Sequence, residues 1–213
     1  VSRRFLIYSV LLILRGPMYS NQSGCSAASE VSKRQVQVFG ERGTGLEIAT
    51  PRPETIPGDS GFAVNPRDPR YAHLVGKHAI RPLPAENQAH LPIVADDHID
   101  IEFGTGVLKV TPAHDKADFD IGQRKWLEVI DVLEDDGSMN NLAGVDLAGK
   151  DRFVARKEAA DKLEELGALV KVEDYKNNVG FSERADVPVE PRLSEQWFLK
   201  YPSQPAARAC VAD

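Results

Sequence analysis

Three prolines in seven residues, Pro51, Pro53 and Pro57, followed at once by Gly58, constrain this chain more than any other feature. Proline fixes φ and removes the amide donor. The run from Thr50 to Gly58 therefore forbids regular structure and forms a stiff, defined loop. Before it, Val36 and Val38 alternate with polar residues, Gly43-Thr44-Gly45 turns the chain, and Leu46-Glu47-Ile48-Ala49-Thr50 returns. That alternation predicts a hairpin with one buried face. After it, Gly61 to Val64, Pro92 to Ala95, Val107 to Thr111 and Val129 to Leu133 read as short strands, the last closed by the turn Glu134-Asp135-Asp136-Gly137. Val170 and Val172, then Val179 and Phe181, complete the strand set.

Helical signals are fewer. Asp68 and Pro69 stand as cap and first-turn residues of a short helix ending at Leu74, and Asp115 to Trp126 forms a second. The clearest helix runs from Asp151 to Leu166. In it Phe153, Ala159, Ala160, Leu163 and Leu166 recur at helical spacing, Glu158 and Lys162 pair four apart, and Gly167 supplies the stop. Many short strands with two or so inserted helices, and no repeating βαβ unit, predict an α+β fold with a barrel-like β-sheet core.

At 213 residues and 42% hydrophobic content, the chain can bury a substantial core. Its 26 basic residues against 32 acidic ones argue against a surface dedicated to wrapping nucleic acid, while leaving room for a local basic patch. Cys25 and Cys210 form neither a disulfide framework nor a zinc spacing, which favours a reducing compartment. Arg3 and Arg4 precede an apolar run from Phe5 to Leu14, with a Ser/Gly/Ala-rich stretch from Ser20 to Ser29. A run of ten residues is too short to span a bilayer. They match the core of a secretory leader, or equally a buried strand or helix, or a misjudged start.

The densest chemistry lies between Gly104 and Asp118. Strand alternation puts Lys109 and Thr111 on one face, with Leu108 and Val110 directed to the core. The strand ends at Pro112, and Asp115 and Asp118 fall on neighbouring points of one helical turn. Together they make a polar pocket able to hold a cationic amine and a hydroxyl. The plainer alternative is a capped helix beside a solvent-facing lysine. His114 and Asp115 are adjacent, but sequence neighbours rarely face each other, and no Ser or Cys stands as a nucleophile for them. In the proline loop, Thr50, Arg52 and Thr55 offer hydroxyls and a guanidinium to a polyol or phosphate; otherwise the loop carries only an Arg–Glu surface pair. Gly104-Thr105-Gly106 reads as a tight turn, lacking the lysine of a phosphate loop. His90, Asp96, Asp97 and His98 have ligand chemistry in no recognised spacing, so no metal is expected.

Three stretches, LEIATPRPETIPGD at 46–59, IEFGTGVLKVTPAHDKADFDIG at 101–122 and NNVGFSERADVPVEPRLSEQWFLK at 177–200, resemble the editing insertion of valyl-tRNA synthetases. The resemblance runs from about residue 35 to 201, and the Lys-x-Thr pair followed by the AHDxxDF string marks the valyl branch rather than the isoleucyl and leucyl ones. It implies the fold those three editing domains share. It also implies hydrolysis of mischarged Thr-tRNA(Val), with Asp118 binding the α-amino group and Lys109, Thr111 and Asp115 recognising the threonine hydroxyl. Arg52, Thr50 and Thr55 then stand around the terminal adenosine and the scissile ester, so Asp118, Thr50 and Thr55 are the expected catalytic set. Positioned water is the implied nucleophile, and editing needs no cofactor, since ATP and magnesium belong to the catalytic domain. The implied partner is the tRNA(Val) acceptor end carrying threonine, together with the catalytic and anticodon-binding domains of a cytoplasmic synthetase, with no membrane involved.

The sequence departs from that pattern in places. Pro51 replaces the second of two threonines, Ser60-Gly61-Phe62 stands for Thr-Ala-Val, and Lys125-Trp126-Leu127-Glu128 for His-Asn-Leu-Pro. Neither a HIGH-type nor a KMSKS-type sequence is present, so activation of valine is not expected. The expected organisation is an unassigned segment 1–34, an editing domain 35–187, and a segment 188–213 returning toward the catalytic domain. Two other readings stay open on sequence: an inactive tRNA-end binding module or truncated gene product, and an exported protein.

Overall fold

The computed structural model describes residues 4–11, 25–40, 45–182 and 187–197. The Gly43–Thr44 part of the expected turn, residues 12–24 and residues 198–213 lie outside them. Strands β1 (Arg4–Leu11), β2 (Cys25–Gly40) and β3 (Gly45–Thr50) lead to a 3-10 helix, Pro53–Gly58, and then to β4 (Gly61–Val64). Next come β5 (His78–Ile80), β6 (His90–Ala95), β7 (Val107–Val110), α1 (Lys116–Lys125) and α2 (Arg152–Glu165). The long strand β8 (Leu169–Ser182) is followed by β9 (Val187–Pro188) and β10 (Glu190–Trp197).

Among the described residues, eight strands form one sheet in the order β7-β4-β6-β5-β2-β8-β9, with β3 also paired to β2. Only β4 and β6 run parallel in it, and the packing of β3 against β7 brings its ends together into a nearly closed barrel. The expected α+β, barrel-like class is the observed one. β2 serves three partners: Cys25 to Val36 pair with β8, Arg34 to Phe39 with β3, and Phe39 and Gly40 with β5, the β8 register shifting between Gln35 and Val36. β1 pairs antiparallel with β10, so the N-terminal apolar run supplies a strand from Arg4 to Leu11.

The alternation in the hairpin sets the core. Val36 and Val38 face Ile48 and Leu46 across the β2–β3 ladder, and all four are fully buried. Ile56, Phe62, Ile93, Met139 and Leu163 belong to the same cluster. Burial of one such side chain contributes about 1.5–3 kcal/mol. α2 covers this core through Ala155, Ala159 and Leu163 and packs on the 3-10 helix.

Several sequence expectations need correction. The proline loop is not irregular, because Pro53 occupies the first turn of a 3-10 helix, where no amide donor is needed. Asp68–Leu74 holds only a 3-10 turn at Ala72–Leu74, its first residues being spent on turns capped by Asp68. Val129 to Leu133 is not a strand, and only Leu133 makes a bridge, to Met139. Its donors go elsewhere: Val132 N–H to the His114 ring at 3.1 Å and Leu133 N–H to Asp131 at 3.0 Å. Glu158 pairs with Lys150, and Lys162 with Asp146 and Glu165, rather than with each other. Phe153 and Leu166, expected on the buried stripe, are instead 40% and 39% exposed.

Candidate functional site

β7 ends beside the 3-10 helix, and the chain from Thr111 to Asp115 crosses to α1. Asp115 is the N-cap, accepting the amides of Ala117 (2.8 Å) and Asp118 (3.3 Å). This cap fixes the first turn and carries Asp118 back over the strand end, where its carboxylate accepts the Thr111 amide at 2.9 Å. The sequence placed Lys109, Thr111, Asp115 and Asp118 in one small space, and the backbone brings them there.

Lys109, Asp115 and Asp118 form one wall of a cleft of about 430 Å³. Thr50, Pro51, Arg52, Lys109, Asp115 and Asp118 face it from the proline loop, β7 and α1. Phe153 and Arg156 close it from α2, and Val179 to Phe181 with Pro188 to Pro191 form the opposite wall. Thr111 and Thr55 do not line it; they are 1% and 2% exposed and act from behind. The Thr111 hydroxyl donates to Asp59 (2.6 Å) and accepts from the Lys109 ammonium (2.7 Å). The Thr55 hydroxyl donates to the Arg52 carbonyl (2.9 Å), while Thr50 Oγ accepts the Arg52 amide (3.0 Å). Two hydroxyls thus hold the backbone of Arg52, and one holds the ammonium of Lys109.

Arg52 is pinned at its far end. Its guanidinium donates to Glu190 at 3.1 Å and to the His114 carbonyl at 3.0 Å, and it stands 3.9 Å from Asp115. Buried Glu190 also faces Arg152 at 3.6 Å. Behind the loop, Glu54 takes Arg156 in a two-pronged pair at 2.6–3.0 Å.

Burial pushes the Asp118 carboxyl up to about 6, reinforced by the negative charges of Asp115 and Asp59 and opposed by Lys109. Asp59, entirely inside, is raised for the same reason against the pull of Lys109. Burial lowers His114 to about 4, aided by the Arg52 and Lys109 cations and opposed by Asp131, so the ring is neutral. It accepts the Val132 amide through Nε2 and turns away from Asp115, which removes the adjacent pair as a dyad. The cleft lining holds no serine, cysteine or histidine among the described residues. Asp96 is engaged by Arg124 (2.8 Å) and His98 (3.0 Å), and no cluster of three metal-ligating groups occurs among the described residues.

Asp59, Glu190, Arg152 and Arg156 were not singled out in the sequence. Asp59 carried a local signal, an acid set directly behind the proline loop and ahead of a strand. Glu190 carried none, since its partner lies 138 residues away.

Among solved structures, the Agrobacterium radiobacter K84 agnB2 LeuRS, in its ternary complex with tRNA and LeuAMS, matches 78% of this chain and 21% of that one, with a TM-score of 0.52 at 18% identity. The likeness shows a fold shared with about a fifth of that synthetase chain. No family model matches the chain. The valine–tRNA ligase of Streptococcus pyogenes serotype M3 is 59% identical over 155 residues, which are 73% of this chain and 17% of that enzyme. Those of Streptococcus thermophilus and Streptococcus pneumoniae are 58% and 57% identical over the same length. Over that stretch the chain belongs to the valine–tRNA ligase family, and it spans about 17% of the length of the curated relatives it matches.

Proposed function

We propose that the cleft hydrolyses threonine from mischarged Thr-tRNA(Val). The observation that supports this most is the pairing, on one wall, of a cation that can donate to a hydroxyl with a buried carboxylate that can hold an ammonium. Lys109 has two of its three donors directed to Thr111 (2.7 Å) and Asp59 (3.4 Å), which leaves one able to meet the side-chain hydroxyl of threonine. Thr111 has both hydrogen-bonding roles of its hydroxyl engaged, so its contribution runs through Lys109. Asp118, ionised above pH ~6, takes the α-ammonium. Arg52, held by Glu190 and the His114 carbonyl, faces the ribose and the ester.

Water attacks the ester carbonyl, the bond to the ribose oxygen breaks, and a proton passes to that oxygen. With no serine, cysteine or histidine on the lining, rate enhancement rests on orientation and on fixed polar groups. No metal or nucleotide cofactor is needed for this step. The need for it is general. A hydrophobic valine pocket rejects isosteric threonine by only about a hundredfold, a magnitude established for valine–tRNA ligases themselves and not worked out from this structure. A second, polar sieve then removes the error, and valine escapes because it lacks the hydroxyl that Lys109 meets. The partner is the acceptor end of tRNA(Val), in the cytoplasm, with the synthetase's catalytic and anticodon-binding domains.

The test is deacylation of Thr-tRNA(Val) and Val-tRNA(Val) by the chain and by Lys109→Met. Preference for the threonyl ester that collapses in the variant supports the reading. Equal rates on both esters, or a preference unchanged in the variant, contradicts it.

A further inference from the structure

Arg52 reaches from the proline loop to Glu190 and to the His114 carbonyl, and one strand bears on both. Glu190 opens β10 and accepts from the Arg52 guanidinium at 3.1 Å. Pro191 confines Glu190 to extended backbone, and strand alternation puts Arg192 on the same side of β10. Arg192 Nε donates to Asp131 at 2.9 Å, and its guanidinium also pairs with Asp135. Asp131 in turn accepts the Leu133 amide at 3.0 Å, which holds the turn that aims the Val132 amide at His114 Nε2, 3.1 Å away. The carbonyl of that same His114 takes the other end of the Arg52 guanidinium at 3.0 Å. We propose that Glu190 and Arg192 are positioning residues, β10 orienting Arg52 directly through Glu190 and indirectly through Arg192, the Asp131–Leu133 turn and His114.

Two observations favour orientation over mere packing. The nearly buried Glu190 carboxylate lies between two guanidiniums, but it is hydrogen-bonded to Arg52 and only faces Arg152, whose buried Nε makes no hydrogen bond. Its charge-assisted bond is thus directed at the arginine that lines the cleft. Arg192 does not line the cleft, so its influence on the chemistry runs through its neighbours. Because the two nitrogens of Arg52 meet acceptors on different elements, the plane of the guanidinium is fixed. The role rests on the editing reading, which puts Arg52 beside the ester, where a misplacement of about 1 Å can cost ~10²-fold in rate.

Single-turnover deacylation of Thr-tRNA(Val) over a range of chain concentrations separates the maximal rate from half-saturation. Side-chain NMR of the whole chain with isotope-labelled arginine, Arg52 being assigned by Arg52→Lys, reads whether rotation of its guanidinium is hindered. Glu190→Gln should lower the maximal rate about 10²-fold with half-saturation little changed. Arg192→Met should lower it less, in the same direction, and both should release the guanidinium. Glu190→Gln combined with Arg152→Gln removes one cation with one anion and leaves the summed charge around Arg52 as it was. That double variant should unfold at the wild-type urea concentration yet stay about 10²-fold slow, because Arg52 has still lost its carboxylate. A wild-type rate in it would reduce Glu190 to charge compensation and overturn the proposal. So would a wild-type rate with a hindered guanidinium in Arg192→Met, or an effect confined to half-saturation. Should Glu190→Gln alone fail to fold, the double variant and Arg192→Met carry the same decision. A wild type inert toward Thr-tRNA(Val) would remove the editing reading, and the NMR then decides the positioning contact: Arg52 released in the variants supports it, and Arg52 hindered as in the wild type overturns it.

Discussion

Replacing Asp118 by Asn should make the protein more stable at neutral pH while disabling the cleft. The Asp118 carboxyl titrates near 6 in the folded chain, against 3.8 when unfolded. Its raised value means the folded state keeps the proton longer than the unfolded state does. Stability is therefore intact below about pH 4, falls as pH rises toward 6, and stays reduced above it. At 1.36 kcal/mol per pH unit, the full loss is on the order of 3 kcal/mol. Asn retains the acceptor for the Thr111 amide at 2.9 Å and removes the charge. Urea unfolding of both forms should show Asp118→Asn gaining about 3 kcal/mol near pH 7.5, shrinking to about 1 kcal/mol near pH 4.5. The comparison cancels every other titrating group common to the two forms. A gain identical at both pH values, or a loss at neutral pH that acid does not reduce, would refute the argument that desolvation of this carboxylate is sustained for function.

Three further outcomes follow from particular residues. Pro51 lines the cleft beside Arg52 with no amide donor, so Pro51→Thr should raise deacylation of Thr-tRNA(Val), by up to ~10²-fold if the restored donor meets the developing oxyanion, as single-turnover rates would show. Trp126 caps α1 at φ 57° while 93% exposed, so Trp126→Asn should stabilise by about 1 kcal/mol in urea melts by relieving left-handed strain. Glu54→Gln strands the Arg156 guanidinium behind the loop and should cost about 3 kcal/mol of unfolding free energy.

The β2–β3 hairpin and the capped helices could be read in advance because their signals are local. Val36, Val38, Leu46 and Ile48 alternate with the period of a strand, and all four are buried as that period requires. Asp115 and Asp151 announce α1 and α2, and each caps its helix. The pocket wall was legible for the same reason, since Lys109 to Asp118 is one strand end and one helix start. Phe153 misled because helical spacing names a stripe but not its edge, and the first turn of α2 overhangs the cleft. Val129 to Leu133 misled because its amides are claimed by the His114 ring and Asp131, which no periodicity reveals. Glu190 was invisible because the ion pair that fixes Arg52 comes from a strand far along the chain.

The central claim concerns chemistry in the cleft, and deacylation of Thr-tRNA(Val) by the chain and by Asp118→Ala tests it most directly. The account predicts release of threonine by the wild type, retention of Val-tRNA(Val), and no turnover in a variant that remains folded. A folded wild-type chain that leaves Thr-tRNA(Val) intact, or a variant that hydrolyses it as well as the wild type, would contradict it.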